Sequence, residues 1–498
     1  MKSTIVSLIF LSLTVEFVSA QKKVIQQVEE SVTASESEAH LSFLASNEMR
    51  GRDTGSPEID IAANYISTQL KIYGAKPVTG SSTYFQDVLL EKIASATQAT
   101  LTLGNDSYKL KDDLLYLGGG SVAIEGEIVF VGYGTKADFE KADVKGKIVV
   151  SFAGTPSTAN GVQALFTDSP AKRILAGTHG AAALIEIMAL PGLPWPSLIN
   201  FLSGERMTTK KESEVPVPHL YMKKSEVASL NTLIETKKSN GKLIVEAPSA
   251  KPVAAKNVAG VIEGKDPDLK NEWIIISAHY DHVGVKKNAT PDSIYNGARD
   301  NAIGTTALLQ AAKFFSEHTP KRSVLFLAVT GEEKGLLGSE WYSNHPLIPL
   351  KQTVFDLNCD GAGYNDKTIV TAIALNRTSV DESLKKAAQA FGLELKGDPA
   401  PEQNLYERSD NLNFAVKGIP AVDVAPGVKS FDQELFKYYH QPADEVSSLD
   451  MAYIEKFHRI FVYAAYLIAN DKARPVWQKG DKFEEAGKQL YGDVVNSK

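Results

Sequence analysis

A single cysteine, Cys359, stands in 498 residues, so no disulfide can form within the chain. Core packing or bound metal must hold the fold. Long apolar runs are scarce as well: the run near the start, Ile5 to Val15, is short of the roughly 20 residues a bilayer span takes and gives way to Glu16. Positive charge is not in surplus. With 53 Lys and Arg against 60 Asp and Glu the net charge is −7, which gives no general pull towards nucleic acid or anionic membranes. Residues 94–252 lack any combination of catalytic residues. Their Gly118-Gly119-Gly120 has no Lys-Ser/Thr pair behind it, so it reads as a flexible turn and not as a phosphate loop.

What is present begins with Lys2, the apolar run, and Val18-Ser19-Ala20, the small-residue pattern that a signal peptidase inspects. Cleavage after Ala20 is expected. The mature protein is then exported, periplasmic or extracellular, with no integral membrane span. Charged and apolar fractions, 23% and 43%, are those of a globular protein with room for a large core.

Residues 21–93 contain a turn-rich loop, Met49-Arg50-Gly51-Arg52-Asp53-Thr54-Gly55, followed by a helix. Ser56 can cap that helix, Pro57 suits its first turn, and Ile59, Ala62, Ala63, Ile66 and Leu70 form one apolar stripe. Residues 94–252 change texture to short strand-like runs and glycines, with an irregular proline-rich block at 190–218, and read as an inserted β-rich domain. From 253 onward strands and helices alternate. Strands are expected at Trp273 to Ala278, Ser323 to Thr330, Thr353 to Leu357, Ile369 to Ala374 and Ala421 to Val424, and helices at Ile303 to Glu317, Leu336 to Asn344, Glu382 to Phe391 and Met451 to Ile468. Together with residues 21–93 this predicts an α/β fold: a doubly wound, mostly parallel mixed sheet with helices on both faces.

Chemistry collects where that sheet ends. His279 and Asp281 follow one expected strand, Glu332 and Glu333 the next, Asp360 the one after, while Asp300 precedes a helix and His440 lies in a loop before the last one. Ligands of open α/β sheets bind at these carboxyl ends. Buried acids are costly without a cationic partner, and two imidazoles with several carboxylates suit zinc. The acids are too many for one ion, so a metal pair roughly 3.5 to 4 Å apart is expected. His282 is read as structural, Cys359 as a small buried residue.

Five stretches carry a family resemblance: Ala278-His279-Tyr280-Asp281-His282, Gly297-Ala298-Arg299-Asp300-Asn301-Ala302, Thr330 to Ser339, Asn358-Cys359-Asp360-Gly361, and Tyr439-His440-Gln441-Pro442-Ala443-Asp444. In order and spacing the chain resembles the di-zinc aminopeptidases related to glutamate carboxypeptidase, glutaminyl cyclase and the transferrin receptor. Residues 94–252 are similar to the protease-associated domain that many members carry. The resemblance implies two Zn²⁺ ions per chain, one held by His279 and Asp360, the other by Glu333 and His440, with Asp300 bridging. It also implies Glu332 as general base and Asp281 as hydrogen-bond acceptor for the far nitrogen of His279, with Asp444 doing the same near His440. Departures from the family are Ile303 where many members have Ser, Asn411 where many have His, and Cys359 where Met or Ile is common.

The expected activity is removal of N-terminal residues from peptides with a free N-terminus. Two alternatives remain at this level. A carboxypeptidase of the same fold would need a basic group to grip a C-terminal carboxylate, for which Arg299, Arg377 and Arg408 are available. A receptor-like binding module would need no metal chemistry at all.

Overall fold

The computed structural model describes residues 21–158, 164, 168–188, 194–210, 217–225, 227–286 and 291–492. They form two compact units, one made of residues up to Val88 with Ala254 onward, the other of Leu89–Val253. The expected leader, residues 1–20, lies outside the described residues.

In the first unit the strands Trp273–His279, Ser323–Val329 and Thr353–Asn358 lie side by side and parallel, and Thr353–Asn358 pairs in parallel with Ala421–Pro426. Antiparallel strands flank this core: Lys251–Ile262 beside Ser323–Val329, and Ile369–Ile373 beside Ala421–Pro426. The sheet is therefore mixed, as its sequence implied. Every residue of Ser323–Val329 is buried, which is why that strand reads as an unbroken apolar run with no alternation.

Helices Ile303–Glu317 and Met451–Asn470 pack against each other and bury most of their side chains. Helix Pro57–Ile72 starts as its sequence suggests: the Ile59 N–H donates to Ser56 Oγ at 3.3 Å, and Ile59, Ala62, Ala63, Ile66 and Leu70 are all buried. Each large side chain of that stripe contributes about 2 kcal/mol by leaving water.

A helix end buried without partners for its last carbonyls is unstable. Here Arg322, fully buried, supplies them: its guanidinium donates to the carbonyls of Ile468, Asp471 and Ala473 at the end of Met451–Asn470, while Nε donates to Glu272 at 2.8 Å. Arg322→Met should therefore cost on the order of 3 kcal/mol of stability, read as a lowered midpoint in thermal or urea unfolding. A midpoint equal to that of the parent would mean these carbonyls find other donors.

The second unit has its own mixed sheet, running Asp106–Lys109, Gln98–Leu103, Lys238–Glu246, Val122–Phe130, Ile148–Phe152, Ala183–Met188, His219–Lys223, Leu114–Gly118, around a separate apolar core. The expected insert, 94–252, falls inside this unit. One detail differs from expectation. The proline-rich block is not wholly irregular: Trp195–Leu202 is a helix, because Pro194 and Pro196 sit at its entrance, where proline is pre-set for helix, and Trp195 and Leu198 are buried. The Gly118-Gly119-Gly120 turn is crowded at Gly119 and open at Gly120. All three have positive φ, and a Cβ on Gly119 would lie 1.9 Å from the Val217 carbonyl oxygen.

Candidate metal centre

Five chain segments deliver the polar groups to the carboxyl edge of the parallel strands. His279 is the last residue of Trp273–His279, with Asp281 and His282 in the buried turn beyond it. Glu332 and Glu333 open a short 3-10 turn after Gly331, whose φ of 72° lets the chain leave the strand sharply. Gly338 keeps the following helix close, since a Cβ there would meet the Thr330 oxygen at 2.3 Å. Asp360 lies just past Thr353–Asn358, Asp300 in the irregular segment before Ile303–Glu317, and His440 in the loop that leads to Met451–Asn470.

These side chains converge in two groups, His279, Asp300 and Asp360 in one, and His282, Asp300, Glu333 and His440 in the other; within each, candidate ligand atoms lie within 4.8 Å of one another. In the first, His279 Nε2 is 3.1 Å from Asp360 Oδ1 and 3.3 Å from Asp300 Oδ1. In the second, His440 Nε2 is 3.2 Å from Asp300 Oδ2 and 3.1 Å from Glu333 Oε2. Asp300 thus turns one oxygen to each group. Every sequence-predicted ligand is in one of them, and Glu332 is in neither.

Nitrogen and oxygen donors in this mixture suit zinc. A further observation fits a cation: both ring nitrogens of His282 and Oε1 of Glu333 are buried without a hydrogen bond, although His282 Nδ1 and Glu333 Oε1 are 2.8 Å apart. Buried polar atoms are rarely left this way unless an ion or water completes them.

His282, read as structural from the sequence, joins a candidate ligand group in the structure. Its signal was present in His279-Tyr280-Asp281-His282, where the second imidazole was read as structural; its fully buried ring faces Glu333 and lies 5.5 Å from the ring of His440. His282→Ala is expected to lower metal affinity in the Glu333–His440 group by about tenfold to a hundredfold. Chelator competition would show this as an unequal weakening of the two groups, and unchanged affinities would return His282 to a packing role.

Two predicted supports act differently from expectation. His279 Nδ1 meets the backbone oxygen of Asp281 at 3.2 Å, while the Asp281 carboxylate, 3.8 Å from that nitrogen, accepts from the N–H groups of Glu332 and Glu333 at 3.1 and 3.3 Å and from Thr54. Asp444 is not the partner of His440. Its carboxylate accepts from the N–H groups of Arg299 and Asp300, at 2.8 and 3.2 Å. Asp423 does the same for Asp360, accepting its N–H at 2.8 Å. A second rank of buried carboxylates, Asp281, Asp444 and Asp423, therefore holds the backbone at Glu333, Asp300 and Asp360.

A buried cation stands behind these loops. Arg52 donates to the carbonyls of Leu44, Tyr280, Asn296 and Gly297, tying the Met49–Gly55 loop to the segments that carry His279 and Asp300. Burial pulls its pKa down to about 10, and Asp444, Asp281, Asp300 and Glu333 oppose that fall.

The same field separates the acid pair. Burial pushes Glu332 well above the usual carboxyl range against the pull of His279, with Asp360, Glu333 and Asp410 adding to the rise. Burial and Asp300 push Glu333 the same way, but His282 and His440 prevail and bring it down to about 2. Burial lowers His440, yet hydrogen bonds to Asp300 and Glu333 raise it to about 10. One acid is thus fixed as an anion and its neighbour is made proton-hungry, the division that acid–base chemistry exploits.

Beside the two groups lies a cavity of about 250 Å³, lined by Glu332, Asp360 and His440 and by Ile373, Val428 and Phe431. The mixed α/β sheet thus carries two carboxylate–imidazole groups at its strand ends. Residues 257–465 match the family model described as Peptidase family M28. The aminopeptidase from Aneurinibacillus sp. strain AM-1 shares the fold, with a TM-score of 0.53 and 21% identity over 90% of this chain and 96% of that one. Among curated proteins, the vacuolar membrane protease of Saccharomyces cerevisiae strain YJM789 is 27% identical over 220 residues, 43% of this chain and 20% of that protein. The one from Coccidioides posadasii strain C735 is 30% identical over 188 residues, 34% of this chain and 17% of that protein. The chain thus covers a fifth or less of the length of these curated relatives.

These relatives correct the expected location. They are named vacuolar membrane proteases, which points to a membrane-associated vacuolar setting and away from a periplasmic or extracellular one. A leader-like start specifies entry to an export route and carries no address for its end. Among the described residues, no helix is long and apolar enough to cross a membrane.

Proposed function

We propose that the chain is a zinc-dependent exopeptidase that removes N-terminal residues from peptides. One observation carries this reading: Asp300 offers an oxygen to each of two imidazole–carboxylate groups, while Glu332 stays outside both and lines the adjoining cavity. One zinc would be held by His279, Asp300 and Asp360, the other by Asp300, Glu333 and His440, with His282 beside the second. When bound, the pair supplies Lewis acidity to the scissile carbonyl and lowers the pKa of water.

The remaining steps belong to the chain. Glu332, with its backbone fixed by Asp281, accepts a proton from the attacking water as the oxygen–carbon bond forms. It returns that proton to the amine nitrogen as the carbon–nitrogen bond breaks. The free α-ammonium of the substrate is held by the surrounding carboxylates, which restricts cleavage to chain ends. The second unit, a β-rich body with its own core, is read as a protease-associated domain.

The discriminating experiment compares aminoacyl anilides with N-acylated dipeptides, with and without a zinc chelator. Chelator-sensitive hydrolysis of the anilides supports the proposal. Cleavage of only the blocked substrates would replace it with a carboxypeptidase.

A further inference from the structure

The cavity beside the metal groups is rich in acids: Asp300, Glu332, Glu333, Asp360 and Asp423 all reach it. Among the described residues Arg408 is the sole arginine or lysine on that lining.

The three arginines that could grip a carboxylate have separate fates. Arg299 is buried and stacked between Tyr364 and Tyr438, at 4.3 and 3.9 Å from the ring centres, and donates to the Ser448 carbonyl at 2.7 Å. Arg377 is committed as a fork to Asp481, at 2.7 and 3.2 Å, with its face on Tyr406. Arg408 differs from both. It is exposed, donates Nη2 to the neutral hydroxyl of Tyr439 at 3.1 Å, and has no carboxylate within ion-pair distance among the described residues.

That one hydrogen bond also fixes its place. The Tyr439 ring stacks on the imidazole of His440, centroids 4.2 Å apart, so the guanidinium is tethered through Tyr439 to a residue of the metal groups. A planar guanidinium with donors to spare matches a carboxylate in two-point fashion, which a lysine would not reproduce.

We propose that Arg408 is the specificity-determining residue that reads a carboxylate on the substrate, carried by the C-terminus of a dipeptide or by the side chain of an acidic N-terminal residue. This rests on the exopeptidase reading. It makes very short or acidic peptides the preferred substrates.

Two substrate pairs separate the sources: leucyl-glycine against leucyl-glycinamide for a terminal carboxylate, and glutamyl against glutaminyl anilide for a side-chain one. Each is measured as a ratio of kcat/KM in the full chain loaded with zinc. Arg408→Gln should lower the carboxylate-to-neutral ratio of one pair by about tenfold or more, with Arg408→Lys recovering only part of it. Salt should weaken the same ratio in the parent. An equal loss on both members of both pairs, or no change, would overturn the role of Arg408 and leave the exopeptidase reading standing. If the parent hydrolyses none of the four substrates, the exopeptidase reading fails and takes this inference with it.

Discussion

Glu332→Gln is expected to bind as much zinc as the parent and to turn over at least about a thousandfold more slowly. The two side chains have the same shape, so packing is preserved, but an amide cannot accept a proton from water at ordinary pH. Glu332 belongs to neither ligand group, so no donor is lost. Its backbone N–H remains bonded to Asp281, and the turn keeps its position. Zinc content after dialysis, measured beside kcat on an aminoacyl anilide, reads both halves. Equal zinc loss in Glu332→Gln and Glu333→Gln would mean that the roles of the pair are misassigned.

Asp300→Asn should have the widest effect on metal. Asp300 alone faces both groups, with Oδ1 towards His279 and Oδ2 towards His440 and His282. An amide keeps one weak oxygen donor and places an N–H where the second was, so affinity should fall in both groups by more than the hundredfold or so typical of an outer-shell change. Glu333→Gln touches only one group and should weaken that group alone. Competition with a calibrated chelator separates the two patterns: two weakened equivalents for Asp300→Asn, one for Glu333→Gln. Selective loss of a single equivalent in Asp300→Asn would remove its bridging role.

Much of this arrangement was legible because it depends on where elements end. Helix Ile303–Glu317 lies where its periodicity put it, and the strands carrying His279, Glu332 and Asp360 stop within a residue or two of their expected ends. A buried parallel strand announces itself as an apolar run, and its carboxyl end then locates the ligands. Ring and carboxylate orientations are not written in spacing. That His279 meets the Asp281 backbone and not its carboxylate follows from the turn after the strand, as does the inward aim of His282. Asp444 follows His440 closely in sequence, yet it holds the backbone of Asp300, because the loop after residue 440 returns beneath the Asp300 segment. Asn411, which stands where many family members have His, is buried and donates to the Tyr406 carbonyl, while its neighbours Arg408 and Ser409 line the cavity. In the proline-rich block, composition suggested a loop, but proline at a helix entrance and two buried apolar residues made a helix.

If two zinc ions joined by Asp300 make this chain a peptidase, a zinc titration of the metal-stripped protein shows it most directly. Bound zinc and hydrolysis of leucyl anilide are followed together as the metal is added. Two equivalents bound per chain, with full activity only as the second fills, is the expected result. Saturation at one equivalent with full activity, or hydrolysis that ignores zinc altogether, would contradict it.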